Sequence, residues 1–110
     1  MKVYKLMILL LLVFSAPAFA GRIFGNLKEG GSSVGQGVEV QIKCESDNSY
    51  STKTDEYGAY EIYVQAGRCD LKVGYKGQWT PTFPVVSSDD PARYDFDLVI
   101  ENGQYVLKRR

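Results

Sequence analysis

Apolar and polar residues alternate one by one along much of this chain, and this period of two limits what it can fold into. The alternation runs through residues 38–44, 60–65, 68–75 and 94–100. Successive side chains of a β-strand point to opposite faces, so each run predicts a strand with one buried face. No stretch beyond the first 20 residues has a helical period. The sequence therefore predicts an all-β protein.

Turn signals separate these runs and favour antiparallel neighbours. Gly58 is available for a positive φ angle between two strands, and Asn102-Gly103 is a strong signal for a tight hairpin. Pro81 and Pro84 predict that residues 77–86 form an edge segment or an extended loop, because proline cannot donate to a central ladder. Together these features predict a small Greek-key antiparallel β-sandwich of about seven strands.

The chain has two cysteines, Cys44 and Cys69, and both fall on the core-facing phase of their strands. Two thiols without any histidine make a poor zinc site. An exported chain keeps its cysteines in an oxidising compartment, where a pair normally forms a disulfide. We therefore predict one Cys44–Cys69 disulfide across or within the core.

The N-terminus has the features of an export signal. Lys2 and Lys5 precede an apolar run over residues 7–14, and Ala18-Phe19-Ala20 places small residues where a signal peptidase cuts. The run is too short to span a membrane as a helix. We predict a secretory signal peptide over residues 1–20, one domain over residues 21–110, and a secreted or periplasmic location.

Composition argues against catalysis, cofactors and nucleic-acid binding. The chain has no histidine, and its 13 basic residues balance 13 acidic ones. The usual general base is thus missing, and we expect Asp95 and Asp97 to be solvated carboxylates on an outer strand face. No basic patch predicts nucleic-acid binding, and residues 108–110 resemble a frayed tail. No cofactor or metal is predicted, although the acidic loops leave calcium binding open.

Several short segments resemble carboxypeptidase regulatory-like domains, which are transthyretin-like (prealbumin-like) β-sandwiches. The segment 54–62 (TDEYGAYEI) resembles their T-D-x-x-G-x-Y motif. Segments 21–25 (GRIFG), 37–42 (GVEVQI), 67–73 (GRCDLKV) and 94–98 (YDFDL) resemble other strands of the family. The resemblance implies an accessory domain without catalytic activity. Cys69 stands where the family usually has tyrosine.

Exposed aromatic residues are the remaining candidates for a binding site. These are Tyr50, Tyr57, Tyr63, Trp79 and Phe83. The competing interpretation is that Trp79 and Phe83 close one end of a small core. We predict a non-catalytic structural or binding module whose partner is a protein or a surface polysaccharide. The alternative is a transthyretin-like carrier of a small ligand, formed by a dimer with a central channel.

Overall fold

The computed structural model of the protein describes residues 20–110. The predicted signal peptide therefore lies almost wholly outside the described residues. Within them every regular element is a β-strand, and no helix is long and apolar enough to cross a membrane. The strands are β1 (Ala20–Glu29), β2 (Ser32–Ser33), β3 (Glu39–Cys44), β4 (Ser49–Lys53), β5 (Ala59–Gln65), β6 (Gly67–Tyr75), β7 (Gln78–Trp79), β8 (Phe83–Ser87), β9 (Ala92–Arg93), β10 (Phe96–Glu101) and β11 (Gln104–Arg109).

The strands form two sheets. The first sheet contains β1, β2, β5, β9, β10 and β11, and the second contains β3, β4, β6, β7 and β8. The predicted β-sandwich with one disulfide is thus confirmed, with eight longer strands and three of two residues. Most pairs are antiparallel, but β1 also pairs in parallel with β9 and β10. The long first strand reaches these partners because it lies in the middle of the first sheet.

The core lies between the two sheets and follows the predicted alternation. Each strand sends every second side chain inward, so that the buried set of one sheet faces that of the other. The fully buried side chains are Ile23, Leu27, Val40, Ile42, Val64, Leu71, Val73, Val85, Phe96 and Leu98. Tyr60 is also buried, and its hydroxyl donates to the carbonyl of Tyr94 at 2.6 Å. Burial raises the pKa of Tyr60 above its ordinary range.

The turn between β4 and β5 explains the T-D-x-x-G pattern physically. Thr54 is buried, and its hydroxyl donates to the carbonyl of Gly35 at 2.7 Å and accepts from the Val38 amide at 2.9 Å. The Asp55 carboxylate accepts from the amides two and four residues later, which closes the turn. Gly58 has a φ of 78° and lies so close to the Leu27 carbonyl that a Cβ would be 3.0 Å from that oxygen.

The disulfide joins neighbouring strands of the second sheet. Cys44 of β3 lies directly opposite Cys69 of β6, and both side chains are buried. The bond therefore continues the hydrophobic layer of Ile42 and Leu71, which pair with each other two residues earlier in β3.

Three details differ from the sequence-based expectations. Ile100 has the inward phase of its strand but is 60% exposed, since it lies beyond the edge of the core. Residues 108–110 are not a frayed tail: Arg109 ends β11, and the Arg110 amide donates to the Asp95 carbonyl at 2.9 Å. Asp95 is mostly covered rather than freely solvated, with its side chain 19% exposed.

Candidate binding face on the first sheet

The five aromatic residues proposed from the sequence do not form one surface. Tyr63 points outward from the first sheet and is 57% exposed, whereas Trp79 lies on the outer side of the second sheet. Tyr57 occupies the β4–β5 turn and is 73% exposed. Tyr50 is partly buried, with its hydroxyl at 3.4 Å from Gln65.

Phe83 belongs to the core rather than to a binding surface. Its ring packs edge-on against Phe96, with centroids 4.9 Å apart. Phe83 therefore fills the role in the core that the competing interpretation gave it. Trp79 does not share that role, because it lies on the opposite side of its sheet.

Tyr63 lies within a group of arginine and aromatic residues, which we call the arginine–aromatic face. Its members are Arg22, Phe24, Glu61, Tyr63 and Arg93. β1 and β5 are in antiparallel register, so that Arg22 lies opposite Tyr63 and Phe24 lies opposite Glu61. On the other side of β1, Phe24 lies opposite Arg93 in the parallel pairing with β9.

The two guanidinium groups flank the phenylalanine ring of this face. The Cζ atom of Arg22 lies 4.2 Å from the centroid of Phe24, and that of Arg93 lies 5.7 Å from it. The Arg22 side chain also pairs with the carboxylate of Glu61. Both arginines are thereby held over the sheet, with their remaining donors turned to the surface.

Asp95 anchors one end of the face from below. Its carboxylate accepts from Arg93 at 2.8 Å and from the Asn26 amide at 2.9 Å. Burial raises the pKa of Asp95, but the bond from Arg93, the bond from Asn26 and the charges of Arg93 and Arg110 outweigh it. The result is a pKa below the ordinary value. Asp95 thus pairs with Arg93 as a carboxylate and positions the Arg93 guanidinium group.

A shallow, open depression of about 480 Å³ runs along the face. It is lined by Arg22, Phe24, Glu61 and Arg93 and continues to Lys53 of β4. Asp55 and Tyr60 also line it, so that the lining combines cationic, acidic and aromatic side chains. Residues 20–110 contain no group of three histidine, cysteine or acidic side chains that could hold a metal ion.

Sequence reasoning identified Tyr63 but missed Arg22, Phe24 and Arg93. A signal was present for the first two, because Arg22 and Phe24 occupy the outward phase of a strand whose other phase is Gly21, Ile23 and Gly25. No pattern identified Arg93, because its contact depends on the parallel pairing of a two-residue strand.

Comparisons with known proteins do not place this chain in a family. No family model matches it, and no curated protein matches it. Among solved structures it is similar to a candidate cell adhesion protein from Bacteroides fragilis, with a TM-score of 0.45 and 14% identity. The match covers 83% of this chain and 45% of that one, so the chain spans less than half the length of that protein.

Proposed function

We propose that this protein is a non-catalytic binding module that acts outside the cytoplasm and recognises a protein partner through the arginine–aromatic face. The observation that carries the proposal is the packing of Phe24 between Arg22 and Arg93 beside the exposed Tyr63. Arginine, tyrosine and phenylalanine are the residue types enriched at the centres of protein interfaces.

The rigidity of the sheet supports the same role. β1 and β5 share seven register pairs, and Arg93 is fixed by Asp95. Side chains held in place before binding lose little conformational entropy when a partner docks. The face therefore offers a preorganised surface rather than a mobile loop.

The location and the family resemblance belong to the same proposal. The Cys44–Cys69 disulfide is compatible with an oxidising compartment. The predicted signal peptide over residues 1–20 would deliver the domain there. Hydrogen bonds of Thr54 and Asp55 close the T-D-x-x-G turn. The resemblance of this segment to carboxypeptidase regulatory-like domains favours an accessory role without catalysis.

Small-ligand transport is the alternative function, and it requires a channel between two copies of the chain. No contact within the single chain favours it over protein recognition.

Substitution of face residues tests the proposal. Tagged wild-type protein, Tyr63→Ala and Arg93→Ala are used to capture crosslinked partners from the extracytoplasmic fraction of the source cells. Arg68→Ala is the charge-matched control, because Arg68 is an exposed arginine of the second sheet. Once a partner is identified, we expect each face variant to weaken its binding at least about tenfold and Arg68→Ala to leave it unchanged.

The proposal fails if the partner is retained at wild-type affinity by both face variants. Thermal unfolding of each variant is recorded in parallel, so that a loss of binding is not confused with a loss of folding. Because Tyr63 and Arg93 are exposed, we expect the melting temperatures to stay close to that of the wild type.

A further inference from the structure

The outer side of the second sheet contains a separate aromatic platform centred on Trp79. This indole is 40% exposed and lies over Gly74 of β6, its register partner. Three carbons of the six-membered ring lie 3.1–3.4 Å from the position that a Cβ of Gly74 would take. The ring rests on the sheet because Gly74 has no side chain to lift it away.

Hydrogen bonds of the two neighbouring residues, Gln78 and Thr80, hold the hairpin that bears Trp79. Thr80 is buried and exchanges two hydrogen bonds with Val73: its amide donates to the Val73 carbonyl at 2.9 Å, and its hydroxyl accepts from the Val73 amide at 3.0 Å. On the other side of the ring, the Gln78 side chain accepts from the Tyr105 amide at 3.1 Å. The indole is therefore held in place before any ligand arrives, although it is not needed to fill the core.

The surroundings of Trp79 are polar. A depression of about 370 Å³ beside the ring is lined by Glu39, Lys53 and Gln78, together with three glycines. Glu39 accepts a hydrogen bond from Gln41 on the same face at 3.3 Å. A sugar ring can place its C–H groups on one aromatic surface while polar side chains bind its hydroxyls, and both are present beside Trp79.

The charges of this face indicate what kind of sugar fits. Lys72 places its ammonium 4.8 Å from the centroid of Trp79, and Lys53 lines the depression. Within residues 20–110 neither ammonium forms a salt bridge. Glu39 is the one carboxylate that lines the depression, so the two ammonium groups beside the ring leave a net positive charge, which complements a sugar that has its own carboxylate.

We propose that the Trp79 platform binds an acidic polysaccharide, with one sugar ring on the indole and a uronic carboxylate on Lys72 and Lys53. Glu39 and Gln41 then accept and donate hydrogen bonds to hydroxyls of the same chain. This site is built on the second sheet and the arginine–aromatic face on the first, and Lys53 lines the depression beside each of them. A chain with both sites links a protein to an acidic glycan.

The single tryptophan of the chain makes the test specific, because indole fluorescence reports on this site alone. The protein is titrated with oligosaccharides of polygalacturonate and alginate. Dextran is the neutral sugar control, and poly-L-glutamate is the control for charge without sugar. We expect a fluorescence change with the acidic oligosaccharides that weakens as salt is added, and none with dextran.

Two variants and one control assign the contacts. In calorimetric titrations Trp79→Ala should weaken binding about tenfold or more, which corresponds to about 1.4 kcal/mol. Lys72→Gln keeps the indole and should weaken binding severalfold while reducing its dependence on salt. Lys108→Gln removes an equal charge from the first sheet, where Lys108 pairs with Glu101, and should bind like the wild type.

Each of the following outcomes overturns the proposal: no binding of either acidic oligosaccharide, equal binding of poly-L-glutamate, equal binding of dextran, or wild-type affinity in Trp79→Ala. Protein capture that depends on Trp79 in the absence of sugar binding would assign the platform to a protein and overturn it as well. None of these outcomes bears on Tyr63 and Arg93, so the two proposals fail separately.

Discussion

Gly58 shows how a single residue fixes the contact between two parts of the chain. Its φ of 78° closes the β4–β5 turn. Its amide donates to the Asp55 carbonyl, and its carbonyl accepts from the Leu27 amide, both at 2.9 Å. A side chain at this position meets two obstacles: the left-handed backbone conformation and the nearby oxygen atoms of Ser33 and Leu27. The glycine of the T-D-x-x-G motif is therefore required for two separate reasons.

The two reasons can be separated by comparing Gly58→Ala with Gly103→Ala. Both glycines have a φ of 78°, but a Cβ on Gly103 meets nothing within 4 Å. We expect Gly103→Ala to lower the free energy of unfolding by about 1–2 kcal/mol through backbone strain alone. Gly58→Ala should cost about 1–3 kcal/mol more through overpacking. Urea unfolding of the wild type and the two variants measures both losses of free energy. Equal losses in the two variants would show that the contacts of a Cβ with the Ser33 and Leu27 oxygens cost nothing.

Thr54 is a second single residue that fixes the contact between two parts of the chain, in this case through a polar side chain. Its hydroxyl both donates and accepts inside the protein, and it ties the glycine-rich connection before β3 to the end of β4. Valine has a similar shape but neither bond. We expect Thr54→Val to lower the free energy of unfolding by about 1–3 kcal/mol, because the Val38 amide loses its partner. The exposed Thr82→Val is the control and should change it by less than about 0.5 kcal/mol.

Among the elements, β6 has the most partners in the second sheet. It pairs with β3, β7 and β8, and its register with β3 places Cys69 opposite Cys44. The disulfide thus joins two neighbouring strands of one sheet, at a sequence separation of 25. In a domain of this size one such crosslink is a large part of the total stability.

Removal of the crosslink measures this contribution. We expect Cys44→Ala/Cys69→Ala to lower the free energy of unfolding by about 3.5 kcal/mol, as the chain-entropy estimate gives for a loop of this length. Reductant should destabilise the wild type by a similar amount and leave the double variant unchanged. A double variant as stable as the oxidised wild type would show that the crosslink has only a minor role. Intact mass before and after alkylation confirms the oxidation state.

The basic C-terminus, just after β11, is held against the first sheet by the side chain of Arg110. The Arg110 side chain reaches two strands: it bonds Asp97 of β10 at 2.9 Å, the Phe96 carbonyl of the same strand at 3.3 Å, and Asn26 of β1. We expect Arg110→Ala to lower the free energy of unfolding by about 1 kcal/mol, the upper range for a partly exposed ion pair. Arg68→Ala should change it little. Equal effects of Arg110→Ala and Arg68→Ala in urea unfolding would show that residues 108–110 are a solvated tail without stabilising contacts.

Across the whole molecule, Glu29 connects the two sheets at one end of the sandwich. Its carboxylate accepts from the hydroxyls of Tyr75 and Tyr105 at 2.6 and 2.8 Å, and from the Lys76 ammonium at 3.3 Å. Tyr105 belongs to the first sheet, Tyr75 belongs to the second, and Lys76 lies in the turn that follows β6. The two rings also pack edge-on, with centroids 5.1 Å apart. The hydrogen bonds from Tyr75 and then Tyr105 hold the pKa of Glu29 below its ordinary value.

This pKa shift predicts how stability depends on pH. Because the folded pKa is below the unfolded value, the stabilisation from Glu29 is complete above about pH 4.5 and is lost as the pH falls through the folded pKa. We expect the melting temperature of Glu29→Gln to be lower than that of the wild type at pH 6, and the gap to narrow below pH 4.5. The exposed Glu56→Gln is the control. A gap that stays constant from pH 6 to pH 3 would contradict this prediction.

The two proposed sites are built on different sheets. The arginine–aromatic face belongs to β1, β5 and β9, and the Trp79 platform belongs to β6 and β7. Lys53 of β4 lines the depression beside each of them. Substitutions of Tyr63 and Arg93 therefore test the first site alone, and substitutions of Trp79 and Lys72 test the second.

The sequence by itself determined the all-β class, the inward phase of the strands, the turns at Gly58 and Asn102-Gly103, and the pairing of Cys44 with Cys69. These follow from local rules: a period of two, the conformational freedom of glycine, and the fact that the chain has only two cysteines. The tertiary structure alone decided that Arg93 lies beside Phe24, that Trp79 rests on Gly74, and that Glu29 bonds both sheets. Those contacts join residues distant in sequence, and their geometry depends on strand register and sheet packing, which local patterns do not encode.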